Sequence, residues 1–114
     1  IFVKSFHNEF SQVIFNILNN AKQEFITKKI ENPKIKTLIK KDKKNVIISI
    51  SDNALGIKEK NLDKIFEPYF TTKDDGMGIG LYMSKVIIEK HMKGKLEVKN
   101  IPNGVLFEIS LPLN

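Results

Sequence analysis

Apolar residues near the start of the chain recur at steps of three and four positions, the spacing of one face of a helix. The series is Phe10, Val13, Ile14, Ile17, Leu18, Ala21 and Phe25. It predicts one long amphipathic helix over roughly residues 8–30. Similar spacing after the glycine-rich segment 76–80 predicts a helix over about residues 79–91, and a shorter stretch at about 57–66 predicts a short helix.

Elsewhere apolar and polar residues alternate, which is typical of strands with one buried face. Two such stretches flank the basic segment 40–44 and predict an antiparallel hairpin that turns there. Two more flank a turn at residues 100–104 and predict a second hairpin. The alternating residues are Ile35, Thr37, Ile39, Val46, Ile48 and Ile50 in the first hairpin, and Leu96, Val98, Val105, Phe107, Ile109 and Leu111 in the second.

The order of these elements predicts the architecture. Strands that come in hairpins and are interspersed with helices favour an α/β fold, a two-layer sandwich with helices packed on one face of a mixed, mostly antiparallel sheet. The segment 67–78, with Pro68 and Gly76, shows no regular pattern, and loops of this length are commonly lids or binding loops. A chain of 114 residues suffices for a single domain, residues 1–114. Because it begins with Ile1 rather than Met, we expect a piece of a longer protein.

Composition excludes several kinds of site. The net charge of +6 includes 19 basic residues that are all Lys. Without Arg the bidentate contacts to guanine and phosphate are missing, so we predict a solvated basic surface and no nucleic-acid partner. The absence of Cys excludes disulfides and thiolate metal sites, and two separated His residues make a poor zinc site. No apolar run approaches the roughly 18 residues that span a bilayer, which is compatible with an intracellular setting.

Two amide side chains lie at the edge of the first helix's apolar face. At about 100° per residue, Glu9, Asn16 and Asn20 fall on one narrow stripe. Asn is unfavourable inside helices, so these side chains are expected to have partners. One interpretation is a polar shoulder of the helix. The other is a cleft in which an amide oxygen, best supplied by Asn20, completes the shell of a Mg²⁺ held by nucleotide phosphates.

A carboxylate ends the second strand of the first hairpin. By the alternation, Asp52 shares the inward face of that strand's apolar residues, where a carboxylate needs hydrogen-bond donors. The exocyclic amino group of adenine is one suitable donor, and the small residues Ala54 and Gly56 would let a base approach. An ordinary Asp-Asn turn that closes the strand is the alternative.

The segment 76–81 reads Gly-Met-Gly-Ile-Gly-Leu and leads into a predicted helix. Glycines before a helix start leave free backbone N–H groups beside a positive helix end, which can cradle phosphate. A flexible turn or a simple helix entry is the alternative. Together with Asp52 and the two Asn residues, this segment indicates a nucleotide site.

Four segments resemble, in order, the motifs of the sensor histidine kinase ATP-binding domain, of the GHKL or Bergerat ATPase superfamily. Residues 12–21 resemble the asparagine motif, and residues 52–57 (Asp-Asn-Ala-Leu-Gly-Ile) resemble the first glycine motif. Residues 65–73 resemble the phenylalanine motif, and residues 76–81 the second glycine motif. The tail, residues 104–112, is similar to the family's last strand.

The resemblance implies a Bergerat fold that binds ATP or ADP with Mg²⁺. Asp52 would accept the adenine amino group, Gly56 would let the base approach, and Ile57 would form part of the apolar wall. Asn20 would hold Mg²⁺ on the triphosphate. Asn16, one turn earlier, would support it or position a water.

The second glycine motif and the lid would handle the phosphates. The backbone contacts would come from Gly78, Ile79, Gly80 and Leu81, with Gly76 as the hinge of the lid. Lys73 is either a phosphate contact from the lid or a surface lysine. Phe66 and Phe70 either sense closure of the lid or are core aromatics.

Several positions depart from the family pattern. Ala54 stands where Gly is usual, Met77 where Thr or Ser is frequent, and Lys93–Gly94 where Gly-Gly is frequent. Gln23–Glu24 replaces a basic–aromatic pair of one large branch. Asn16 stands where ATP-hydrolysing relatives place a general-base Glu, so fast intrinsic hydrolysis is not expected.

The implied activity is transfer of the γ-phosphoryl group of MgATP to a histidine on a separate dimerisation and phosphoacceptor domain of the same protein, upstream of a response regulator. The acceptor is expected outside this chain, since His7 lacks the acceptor pattern and His91 ends a helix. We expect the isolated piece to be monomeric and cytoplasmic, within a homodimeric parent that is cytoplasmic or membrane-anchored. A nucleotide-binding switch, or a serine kinase of the anti-sigma-factor kind, is the alternative.

Overall fold

The computed structural model describes residues 7–68 and 80–113 of the chain. The helices are α1 (His7–Thr27), α2 (Glu59–Leu62) and α3 (Gly80–Val86), and α3 continues as a π-helical segment, Ile87–His91. The strands are β1 (Ile35–Lys41), β2 (Asn45–Asp52), β3 (Lys95–Ile101) and β4 (Gly104–Pro112). None of these helices could span a lipid bilayer, on grounds of both length and hydropathy.

The strands form one four-stranded sheet in the order β1-β2-β4-β3. Both predicted hairpins, β1–β2 and β3–β4, form. They are joined into one sheet because β4 also pairs with β2, so β4 lies between β2 and β3. Every pairing among the described strands is antiparallel. The two-layer α/β architecture predicted from the sequence is therefore confirmed.

The core lies between one face of the sheet and the long helices. Alternate residues of β2 and β4 point into it, as the alternating pattern predicted. Each fully buried Ile or Leu contributes about 1.5–3 kcal/mol relative to exposure. The buried apolar residues are Val13, Ile17, Val46, Ile48, Ile50, Ile65, Ile87, Ile88, Met92, Leu96, Val105, Phe107, Ile109 and Leu111.

The first helix ends earlier than the predicted residue 30. The N–H of Ile30 donates to Phe25 O at 3.0 Å and the N–H of Lys29 to Ile26 O at 3.2 Å, the two bonds of a Schellman cap. Lys29 has a φ of 54°, the left-handed conformation that this cap requires. The apolar spacing therefore identified the helix but not its end.

The helix predicted at 79–91 is found at 80–91, with π-helical geometry in its last turn. Lys93 follows with a φ of 58°, and a Cβ on Gly94 would collide with Ser110 O. Where the family frequently has Gly-Gly, this chain has Lys93–Gly94, and the glycine that is present, Gly94, is the one with no room for a side chain. The short helix predicted at 57–66 is only one turn long, Glu59–Leu62, and turns follow it.

The two edge strands differ in how they are covered. At the start of β3, Glu89 accepts the N–H of Leu96 at 3.1 Å and Lys85 donates to Leu96 O at 3.0 Å. These contacts attach the helix layer to that edge. All seven residues of β1 are exposed, and among the described elements only β2 packs extensively against that strand.

Candidate functional site

Asp52 ends β2 on the face that carries the core residues of that strand and is half-buried. Its Oδ1 accepts the N–H of Ala54 at 2.9 Å. Burial raises the pKa of the carboxyl, whereas the N–H groups of Ala54 and Val105 and the charge of Lys28 lower it. A carboxylate has about four lone-pair sites, more than two N–H groups use, so it can accept a further donor.

The loop after Asp52 turns sharply at two residues. Leu55 has a φ of 71° and Gly56 a φ of 87°. A Cβ on Gly56 would lie 2.9 Å from Oδ1 of Asn100, too close for a side chain there. The side chain of Asn100 makes two hydrogen bonds to the backbone of Ile57: it accepts the Ile57 N–H at 2.8 Å and donates to Ile57 O at 2.7 Å. The loop is therefore a defined structure with Ile57 held half-buried.

The turn between β3 and β4 contacts this loop. The N–H of Leu55 donates to Asn103 O at 3.0 Å. A Cβ on Gly104 would overlap Asp52 O, so this glycine allows the two backbones to touch. The end of β2 is thus positioned by the last hairpin of the chain.

A polar ridge runs along α1, made of side chains spaced four residues apart. Two neighbouring pairs are in contact: Gln12 donates to Asn16 at 2.9 Å, and Lys28 pairs with Glu24 at 3.4 Å. Spacing by four places side chains one turn apart on the same face of a helix. The members of the polar ridge are Gln12, Asn16, Asn20 and Glu24 of α1 and, one residue past its end, Lys28.

One end of the polar ridge holds the start of α3. The Nδ2 of Asn16 donates to Gly80 O and to Ser84 Oγ, both at 3.0 Å. The hydroxyl of Ser84, which is fully buried, donates in turn to Gly80 O at 2.9 Å. Asn16 therefore joins α1 to the described end of the second glycine motif. Its role toward a metal or a water remains a prediction.

The other end of the polar ridge holds the loop after Asp52. The Nζ of Lys28 donates to Ala54 O at 2.7 Å and to Gly56 O at 2.8 Å. The ridge thus connects both glycine motifs, with half-buried Asn20 one turn from Asn16. Asn16 and Lys28 are twelve positions apart, about 18 Å along a helix.

The structure brings together Asp52, Gly56 and Ile57 in one loop, and Gly80 and Leu81 at the start of α3. Asn16 contacts the second group directly. The remaining predicted residues lie outside the described residues: Phe70, Lys73, Gly76, Gly78 and Ile79.

Phe66, before the segment predicted as a lid, packs edge-on against the core residue Phe107, with ring centroids 6.3 Å apart. The Nζ of Lys85 lies 4.6 Å from the Phe66 ring centroid. These contacts support the interpretation of Phe66 as a core aromatic that also faces the third helix.

The two histidines lie at helix ends. His7 is the first residue of α1 and is exposed. His91 ends the π-helical segment, and its Nδ1 lies 2.6 Å from Oε2 of Glu9. Glu9 of the predicted stripe therefore joins α1 to the end of the third helix.

Sequence reasoning missed three residues that shape this site: Lys28, Asn100 and Gly104. Lys28 continues the four-residue series after Asn16 and Asn20, a signal that extending the stripe would have found. Asn100 and Gly104 contact the loop across the sheet, 43 residues away for Asn100 and Ile57. No local pattern could have indicated those contacts.

Comparison with known proteins matches residues 7–114 to the family described as histidine kinase-, DNA gyrase B-, and HSP90-like ATPase. Sporulation kinase A of Bacillus subtilis is 34% identical over 113 residues, 98% of this chain and 18% of that protein. The chain therefore spans less than a fifth of that relative's length.

Solved structures show the same likeness. The catalytic domain of histidine kinase ThkA, in a nucleotide-free form, superposes with a TM-score of 0.83 at 35% identity, over 96% of this chain and 70% of that one. Histidine kinase ThkA in complex with response regulator protein TrrA matches with a TM-score of 0.79 at 31% identity, over 98% of this chain and 30% of that one.

Proposed function

Because this chain belongs to the family of histidine kinase-, DNA gyrase B- and HSP90-like ATPases, we propose that it is the ATP-binding catalytic domain of a sensor histidine kinase. In this role it binds MgATP and donates the γ-phosphoryl group to a histidine of a separate dimerisation domain. The observation that carries the proposal is the polar ridge of α1, which joins the loop after Asp52 to the start of α3.

The loop end of the ridge is suited to adenine. Asp52 has acceptor capacity beyond its contact with Ala54, and the amino group of adenine supplies the complementary N–H. Gly56 keeps the loop free of a side chain where the base approaches, and Ile57 offers apolar surface. A hydrogen-bonding carboxylate beside an apolar wall is the pattern of a selective small-molecule site.

The other end is suited to phosphate. Gly80 and Leu81 open the third helix, whose first N–H groups point away from it and favour an anion. Gly76, Gly78 and Ile79 complete this backbone cradle in the proposal, with Lys73 as a cationic contact from the lid. The amide oxygen of Asn20, between the two ends, is suited to Mg²⁺, a cation that prefers oxygen ligands.

The reaction requires positioning and charge neutralisation more than covalent chemistry from this chain. When bound, MgATP supplies the transferable phosphoryl group and the divalent charge. The chain orients the base through Asp52 and holds the phosphates at Gly80 and Leu81. Asn16 holds α1 and α3 together. Its side chain is an amide, so it offers no carboxylate to activate water.

The phosphoacceptor lies outside this chain in our proposal. His91 contacts Glu9, and His7 opens the helix that carries the polar ridge. The names of the relatives, which are kinases, favour phosphoryl transfer over a nucleotide switch without transfer.

The proposed activity also implies a localisation, an oligomeric state and a protein partner. We propose that residues 1–114 form one cytoplasmic, monomeric catalytic domain, since ATP is the substrate and dimerisation would reside elsewhere in the parent. The parent would act as a homodimer on a response regulator. The complex of the ThkA kinase with response regulator TrrA supports this assignment of partner.

Calorimetric titration of MgATP into the 114-residue chain tests the proposal. We expect binding that Asp52→Ala weakens by at least about tenfold, since the adenine acceptor is lost. Chelation of Mg²⁺ by EDTA should also change the affinity. Asp63→Ala, which removes an exposed carboxylate after α2, should leave it unchanged. A folded unmutated chain that does not bind ATP contradicts the proposal.

A further inference from the structure

Lys28, the first residue after α1, holds two carbonyl groups of the loop after Asp52. The Nζ of Lys28 lies 2.7 Å from Ala54 O and 2.8 Å from Gly56 O, and its third neighbour is Glu24 at 3.4 Å. An ammonium group has three donors, so this environment uses all of them. The half-buried side chain is thus committed to the loop.

The loop conformation makes such a contact consequential. Between the two bound carbonyls lies Leu55, a non-glycine residue in the left-handed region, which L side chains adopt with difficulty. Two carbonyls that converge on one cation favour this turn over an extended one. Without the cation, those carbonyls would repel each other in a half-buried position.

Lys28 also reaches Asp52 through one residue, Ala54. The Ala54 residue donates its N–H to Asp52 Oδ1 and its carbonyl accepts from Lys28. The orientation of the Asp52 carboxylate therefore depends on where Lys28 holds Ala54. The charge of Lys28 also lowers the pKa of Asp52, against the larger effect of burial, and so favours the ionised acceptor.

We propose that Lys28 is a positioning residue for base selection: by holding the carbonyls of Ala54 and Gly56 it aims Asp52 at a 6-amino group, and so sets the preference for adenine over 6-oxopurines. This inference rests on the proposed ATP site. It assigns a role in selectivity to a residue at the end of the polar ridge, with no direct contact to the base or the phosphates in the proposal.

Nucleotide selectivity tests this role. The unmutated 114-residue chain, Lys28→Met, Lys28→Arg and Lys22→Met are titrated with ATP and with inosine triphosphate, which carries an oxygen in place of the amino group. Lys22→Met removes the same charge from an exposed position of α1 and is the matched control. Thermal unfolding of each variant is measured in parallel.

We expect Lys28→Met to weaken ATP binding about tenfold and inosine triphosphate binding less than about threefold, so that the ratio of the two affinities falls. Lys28→Arg, which keeps the charge and the donors, should retain most of the ratio, and Lys22→Met all of it. If Lys28→Met does not fold, Lys28→Gln, which keeps an N–H donor without the charge, gives the same comparison.

Equal weakening of both nucleotides by the Lys28 variants, or no weakening, would overturn the inference, because a merely stabilising contact does not distinguish the bases. A failure of the proposed function looks different. In that case the unmutated chain would bind neither nucleotide, and the role of Lys28 in selection would fall with it.

Discussion

The carboxyl group of Asp52 lies where its surroundings oppose its charge. Burial raises its pKa above the ordinary value of 3.8, although two backbone N–H groups and Lys28 act in the other direction. Catalytic and binding sites commonly contain groups whose pKa is perturbed in this way. At the scale of a residue, burial makes ionisation of this carboxyl group less favourable in the folded chain than in water.

The pH dependence of stability tests this balance. A raised pKa means that the folded chain binds the Asp52 proton more tightly than the unfolded chain does, so stability rises as pH falls through the folded pKa towards 3.8. We expect the free energy of unfolding of the unmutated chain, minus that of Asp52→Asn, to increase as pH falls through this window. Denaturant unfolding at a series of pH values measures it. A decrease would show that the carboxylate is stabilised in the fold.

Individual residues also show how far local sequence could predict the site. Asp52, Gly56 and Asn20 were predicted as site residues from alternation, loop composition and helical spacing, which are local properties. Lys28 and Asn100 were not found, because their roles depend on carbonyl and N–H groups 26 to 43 residues away. Only the folded chain brings those groups within hydrogen-bond distance.

At the scale of elements, a lysine in the left-handed conformation follows each long helical segment, two residues after its last residue: Lys29 after α1 and Lys93 after the π-helical segment. The left-handed position after a helix is usually occupied by Gly and sometimes by Asn, which adopt this conformation at a lower cost in free energy than other residues do. The apolar spacing gave no sign of these ends. A lysine in a left-handed cap is a local conflict that packing elsewhere must offset.

Glycine at either cap should therefore stabilise the chain. We expect Lys29→Gly and Lys93→Gly each to raise the free energy of unfolding by about 0.5–1 kcal/mol, since the left-handed penalty exceeds the extra entropy of glycine in the unfolded state. Gly94→Ala is the contrasting variant and should lower it by about 2–3 kcal/mol, because its Cβ would collide with Ser110 O. Urea unfolding of the three variants measures these changes. Destabilisation by both glycine variants would contradict the cap assignment.

At the scale of the whole molecule, α1 connects the elements of the site. It contacts the start of α3 through Asn16 and the end of the third helix through Glu9, and Lys28, directly after its last residue, contacts the loop after β2. A rigid helix that spans the site fixes the distance between its two ends. In the proposed function, this fixed distance places the base and the triphosphate of ATP relative to each other.

Phosphoryl transfer should then require a second domain. We expect the 114-residue chain to be monomeric by light scattering and to remain unlabelled by γ-labelled ATP, because its histidines lie outside the acceptor context. The parent's dimerisation domain, added separately, should acquire acid-labile label, and Asp52→Ala in the catalytic chain should slow the labelling at ATP concentrations below saturation. Label on the isolated chain would contradict this assignment, and His7→Gln and His91→Gln would then locate it.

The sequence alone determined the kind and order of the elements and the inward face of β2 and β4, because those properties follow from periodicity over a few residues. It also determined the family, through motifs that are contiguous in the chain. Tertiary structure decided why all of β1 is exposed and which side chains hold the loop after Asp52. These features depend on which distant groups meet when β4 pairs with β2 and α1 packs across the site, and no local pattern contains that information.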